Sequence, residues 1–209
     1  MIDATDRNVH LIGHSYGGGV ALHAALMRPK RVETLTLYEP SAFHLLRQID
    51  VGGADALAEI AAVARLTGDG VITGDYQATA ATFIDYWSGN GAWAAMRPLL
   101  QTALVRWLPK APLEFSALIG ERAEAGHYAH LRCSTLIIRG EHAPGPTRLI
   151  AEAPPDTPAE CPPRHRRGRG SHGPADACGG GQCDHLRASC RRPGAQPARA
   201  AARHVNPAS

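Results

Sequence analysis

In Gly13-His14-Ser15-Tyr16-Gly17 a serine stands between two glycines at the spacing Gly-x-Ser-x-Gly. A serine hydroxyl becomes a useful nucleophile when a base takes its proton, and its attack on a carbonyl carbon creates an oxyanion that needs hydrogen-bond donors. A sharp turn from strand to helix meets the second need, because the N–H that opens the helix faces the oxyanion with the positive end of the helix dipole behind it. On that reading Ser15 is the nucleophile and Tyr16 supplies the oxyanion N–H. Gly13 and Gly17 are required because the turn strains its central residue and leaves room only for small residues two before and two after.

That chemistry depends on the flanking elements. Residues 9–12 form a short apolar run bounded by Gly13, which predicts a strand buried on both faces. Residues 20–27 predict a helix that stops at Pro29. Across residues 31–40, Leu35 and Leu37 alternate with Thr34 and Thr36, predicting a second strand that Pro40 ends, with Glu39 at its carboxyl end. Ligands of open α/β sheets bind outside the carboxyl ends of the strands, so Ser15 and Glu39 are expected on one rim. A third strand is predicted over residues 135–139.

Between the second and third strands the spacing turns helical. Leu57, Ile60, Ala61 and Ala64 recur at i, i+3, i+4 and i+7, with Gly68 read as the stop. Tyr76, Ala80, Phe83, Ile84 and Trp87 repeat the pattern, and Trp93, Met96, Leu100, Leu104 and Trp107 predict another helix. The aromatics are expected to pack among these helices, since an amphipathic helix must bury its apolar stripe, with some of them open to lining a pocket.

Residues 13–18 in this setting resemble the nucleophile elbow of the α/β-hydrolase superfamily, and the resemblance extends over residues 9–150. It implies a partial α/β-hydrolase fold of class α/β: a parallel sheet core in residues 1–41, a helical cap in residues 42–130 and a return to the core in residues 131–152. Serine rather than aspartate at position 15 implies hydrolysis of an ester, or a related acyl or carbon–carbon bond, through an acyl-enzyme. The resemblance implies no metal or organic cofactor and a small-molecule ester or acyl substrate. Most members place an acidic residue after the third of these strands, where Ala143 stands here. Some place it after the second, which makes Glu39 the expected acid that orients a histidine base, with Glu141 as the alternative.

The 209 residues are 44% hydrophobic and 20% charged, as in globular proteins, but the composition breaks near residue 150. Every Phe, Trp and Tyr lies before that point, whereas residues 151–209 are rich in Pro, Gly and Arg and hold four of the five Cys. Such a segment buries too little apolar surface to offset its ordering entropy, so residues 153–209 are expected to be a disordered, low-complexity tail. The net charge of +3 comes from this tail, so no nucleic-acid partner is inferred. Arg164, Arg166, Arg167 and Arg169 lack interleaved aromatics and read as solvated. Cys178, Cys183, His185 and Cys190 lack the paired Cys-x-x-Cys knuckles of a structural zinc site, leaving a basic or zinc-binding tail on a non-catalytic module as the rival reading. No apolar run reaches the roughly 18 residues of a membrane helix. No secretory signal is read in residues 1–7, so a cytoplasmic location without membrane association is expected.

Both ends depart from the resemblance. Intact members have strands before the nucleophile strand, and their loops supply a second oxyanion donor. Here Ser15 comes early, so an N-terminal truncation is expected, with the strand before Ser15 at an open sheet edge. The histidine turn that resembling proteins carry near the C-terminus is absent. A reading-frame shift shortly after Glu152 is expected to account for this: codons for residues 167–178, read one nucleotide later, permit Gly-Ala-Gly-His-Met-Gly-Pro-Leu-Thr-His. His172 lies near the expected place in the wrong frame. His14 is read as directed away from Ser15, His10 and His23 as belonging to the adjoining strand and helix, and nothing distinguishes His127, His130 or His142. No general base is assigned, and impaired activity is expected.

Overall fold

A computed structural model describes residues 2–153 and the backbone of Leu186–Arg191. Strand β1 (Val9–His14) leads directly into helix α1 (Tyr16–Met27), which returns to strand β2 (Val32–Tyr38). Helices α2 (Gly53–Thr73), α3 (Tyr76–Ser88), α4 (Ala92–Ala95), α5 (Pro98–Trp107), α6 (Ala111–Gly120) and α7 (Ala125–Ala129) follow. The chain then re-enters the sheet as β3 (Ser134–Gly140) and leaves it as α8 (Gly145–Glu152). β1 and β2 pair in parallel, as do β2 and β3, with Leu35 opposite Leu11 on one side and Thr135 on the other. This is the expected partial α/β-hydrolase architecture, a parallel sheet with helices. Among the described residues, no helix is long and apolar enough to cross a membrane.

The central strand carries the core. Leu35 and Leu37 of β2 are 0% and 2% exposed and pack with Ala21, Leu22 and Ala25 of α1 and with Phe43, Leu46 and Ile60. Full burial of one such leucine is worth about 1.5–3 kcal/mol. β1 differs from expectation, because only one of its faces is covered: Val9 and Leu11 pack against the core, whereas Ile12 is 79% exposed. β1 is at the sheet edge, and α1 covers the side that Val9 and Leu11 share.

Three helix boundaries also differ. α1 begins at Tyr16 rather than Val20, so Gly17, Gly18 and Gly19 are helical. They let the first turn approach its neighbours: a Cβ on Gly18 would lie 2.9 Å from Pro40 Cα, and one on Gly19 would lie 2.7 Å from Leu118 Cδ2. α2 runs through Gly68 and stops at Gly74, whose φ of 78° is the left-handed conformation of a helix C-terminus. There Gly74 N–H donates to Val71 O and Asp75 N–H to Gly70 O, the two bonds of a Schellman motif. The helix predicted from Trp93 to Trp107 is broken, because Met96 and Arg97 are extended before Pro98.

The stretch read as a disordered tail needs a correction at Leu186–Arg191, which forms β4, antiparallel to β3, with Leu186 opposite Gly140 and Arg191 opposite Thr135. The far edge of β3 offers a row of backbone donors and acceptors, and a strand satisfies them without needing a large apolar side-chain set. Cys178, Cys183 and His185 lie outside the described residues, as does His172; among the described residues no group of three potential ligands could hold a metal ion.

Two glycines two residues apart in α2 give opposite expectations. A Cβ on Gly68 meets nothing within 4 Å, whereas one on Gly70 would lie 1.9 Å from Thr79 Oγ1 of α3. Gly68→Ala should therefore stabilise the protein by about 0.5–1 kcal/mol through helix propensity. Gly70→Ala should lower the melting temperature as α3 is pushed off. Thermal melts of the two variants by circular dichroism check both signs.

Candidate active site

Ser15 occupies the single residue between β1 and α1, with φ 52° and ψ −121°. That conformation is sparsely populated by non-glycine residues and persists only where surrounding bonds impose it. Four backbone bonds do so here. Ser15 N–H donates to Tyr38 O of β2 at 3.0 Å, and Ser15 O accepts from Gly18 N at 2.9 Å, Gly19 N at 3.2 Å and Ser41 N at 3.1 Å. The side chain is left exposed at the crest of the turn.

The glycines divide the steric work differently from the sequence expectation. Gly13 has no room for a side chain, since its Cβ would lie 2.3 Å from Gly17 O. Gly17 is open, with nothing within 4 Å of a Cβ there. Its backbone crowds Gly13, so the tight turn constrains residue 13 and leaves space at residue 17. The second sterically required glycine is Gly18, pressed against Pro40. Tyr16 is the first residue of α1, and the first N–H groups of a helix have no acceptor within the helix.

Glu39 is the other described non-glycine residue with positive φ, at 46°. Its N–H donates to Ile138 O at 2.8 Å, and its carboxylate Oε1 accepts the Gly140 N–H at 2.8 Å. The side chain thus ties the carboxyl ends of β2 and β3 together. A Cβ on Gly140 would lie 2.9 Å from that oxygen, so the glycine makes room for it.

Ser15, Tyr16, Glu39, Glu141 and His142 all line one cavity of about 950 Å³. Ser41 joins them and was not singled out by sequence reasoning. It is 5% exposed, and its Oγ is 3.3 Å from Ser15 Oγ. The only signal available was a small polar residue just beyond Glu39-Pro40, at the end of the neighbouring strand. Ala143, where the resemblance places an acid in most members, is buried in the cavity wall.

Most described histidines are engaged elsewhere. His10 Nδ1 pairs with Thr34 Oγ1 at 2.8 Å, and His23 Nδ1 lies 2.8 Å from Glu121. His127 Nδ1 accepts the Glu124 N–H in the cap of α7. His14, read as directed away from Ser15, stacks on Tyr38 with ring centroids 4.8 Å apart and nevertheless lines the cavity beside His142. The Ser15 hydroxyl pairs with that of Ser41.

His44 is buried at 5% exposure, with Nε2 2.9 Å from the Tyr128 hydroxyl and, among the described residues, no hydrogen-bond partner at Nδ1. Burial holds its pKa below the ordinary 6.5, outweighing the raising effect of Glu121. Burial also raises the Tyr128 hydroxyl. For Glu121, burial acts upward, but the Ala123 and Arg122 N–H groups together with His23 leave its pKa lowered.

The family model described as alpha/beta hydrolase fold matches residues 4–118, from the segment before β1 into α6. No curated protein and no solved structure matches the chain.

Because the fold favours neutral His44, its stabilising contribution is complete above pH 6.5, where the unfolded chain is also neutral. As the pH falls below 6.5 the unfolded state takes up the proton first, so stability declines. Urea midpoints should therefore fall between pH 7.5 and pH 5.5, and His44→Gln, which keeps a hydrogen-bonding group for Tyr128, should flatten that dependence.

Proposed function

The chain belongs to the α/β-hydrolase fold family, and on that premise we propose that it is a serine hydrolase of the acyl-enzyme type. The observation that carries the reading is the backbone of Ser15, strained and bonded on both sides at the crest between β1 and α1. A side chain presented in this way is what nucleophilic attack requires, and an ordinary capping serine needs no such strain.

In the proposed reaction Ser15 Oγ attacks the carbonyl carbon of an ester or related acyl compound, and the Tyr16 N–H receives the developing oxyanion. The leaving alcohol departs, and water then attacks the acyl-Ser15 ester to release the acid and restore the hydroxyl. The Ser15 proton goes to a histidine base, which passes it to the leaving alcohol; in the second step the base takes a proton from the attacking water and returns it to Ser15 Oγ. Glu39 orients that imidazole through Oε2, its Oε1 being used by Gly140 N–H. Glu141, at the same cavity, is the alternative acid. Among the described residues Ser15 Oγ is bonded to the Ser41 hydroxyl, and no histidine is assigned as the base.

Slow acylation with still slower turnover is therefore expected. Loss of triad function costs about 10⁴ to 10⁶ in rate in well-studied hydrolases. Incubation with p-nitrophenyl butyrate or a fluorophosphonate should add one acyl or phosphonyl group to Ser15, read by peptide mass spectrometry, and Ser15→Ala should remove the label. An unlabelled Ser15 in the unsubstituted protein overturns the proposal, as does turnover that survives Ser15→Ala.

A further inference from the structure

The cavity in front of Ser15 has an uneven charge. Its lining includes three carboxylates, Glu39, Glu114 and Glu141, and no lysine or arginine among the described residues. Glu39 and Glu141 lie at the sheet rim, whereas Glu114 belongs to α6 in the helical wall. Its Oε1 accepts a hydrogen bond from Trp107 Nε1 at 3.2 Å, and among the described residues no lysine or arginine pairs with it.

The wall around Glu114 is aromatic. Trp107 and Phe83 are 5.4 Å apart between centroids, Phe83 is 6.0 Å from Trp87 and 6.3 Å from Phe115, and all four rings line the same cavity. Aromatic faces carry partial negative charge and attract cations, most strongly when water is excluded. A carboxylate set among such rings adds a full charge of the same sign. Among the described lining residues an anionic tail would face three carboxylates and no lysine or arginine, the imidazoles of His14 and His142 being the basic side chains there, whereas an ammonium group would pair with Glu114.

We propose that the cavity selects a cationic substrate: an ester or related acyl compound bearing an ammonium group, which lodges on the cavity side of Glu114 and the rings of Trp107 and Phe83 while its carbonyl faces Ser15. The assignment of the carbonyl end rests on the serine-hydrolase reading; the cation subsite stands on the wall alone. Glu114 is then a specificity-determining residue outside the reacting group. At about 950 Å³ the cavity has room for a small ester of this kind.

The test compares butyrylcholine with 3,3-dimethylbutyl butyrate, which differ by replacement of the quaternary nitrogen with carbon. Calorimetric titration at low salt should show butyrylcholine bound at least about tenfold more tightly. Rising salt should shrink that ratio in the unsubstituted protein. Glu114→Gln, close in shape, should bring the two ligands to within about threefold, because the charge and not the volume is removed. Equal binding of the two esters, binding of neither, or a full preference retained in Glu114→Gln overturns the inference. The salt dependence decides the matter if the variant does not fold. Labelling of Ser15 by a fluorophosphonate is scored in parallel: label without a cation preference sinks the subsite alone, and a cation preference without label sinks the hydrolase reading alone.

Discussion

The carbonyl of Ser15 accepts N–H groups from Gly18, Gly19 and Ser41, while its own N–H is bonded to Tyr38. These bonds come from α1, from β2 and from the residue beyond Pro40, so helix, central strand and crest are tied at one amino acid. A non-glycine residue at φ 52° costs about 1–3 kcal/mol in backbone strain. The surroundings offset that cost only if α1 sits close enough for its first turn to reach back. That proximity explains why Gly13 admits no Cβ and why Gly18 touches Pro40. It also explains why Ser41, silent in the sequence, ends with its hydroxyl 3.3 Å from that of Ser15.

A second junction sits beside the first. Glu39 has positive φ, bonds Ile138 through its backbone and Gly140 through its carboxylate, and so fixes the carboxyl ends of β2 and β3 relative to each other. The bridge uses Oε1 and leaves the second carboxylate oxygen for the role proposed for Glu39. The ends of β2 and β3 are thus joined at the crest, and helices that come between these strands supply the far wall of the cavity.

Those helices use their aromatic residues twice. Phe83, Trp87 and Phe115 pack against the main core cluster, and with Trp107 they form the cavity wall. An apolar stripe at helical spacing shows that a face must be buried. It does not show whether the burying partner is another helix or a space for a ligand. The ring contacts between α3 and α6 settle this by leaving room beside Glu114.

The short-range signals were legible in the sequence. Apolar runs marked β1, β2 and β3, the i, i+3, i+4 spacing marked α2 and α3, and Gly-x-Ser-x-Gly marked the turn, because strand and helix periods and tight-turn sterics are properties of neighbouring residues. Signals that depend on distant partners were not. Gly68 and Gly74 look alike as helix stops, but only Gly74 takes the left-handed conformation that closes the Schellman bonds. Ile12 reads as buried until β1 is found at an edge with one face uncovered. Glu114 and Ser41 carry no local pattern at all. Glu114 comes to line the cavity when α6 packs against the preceding helices, and Ser41 meets Ser15 when the chain after β2 crosses the crest, since side chains far apart in sequence meet only through the packing of whole elements.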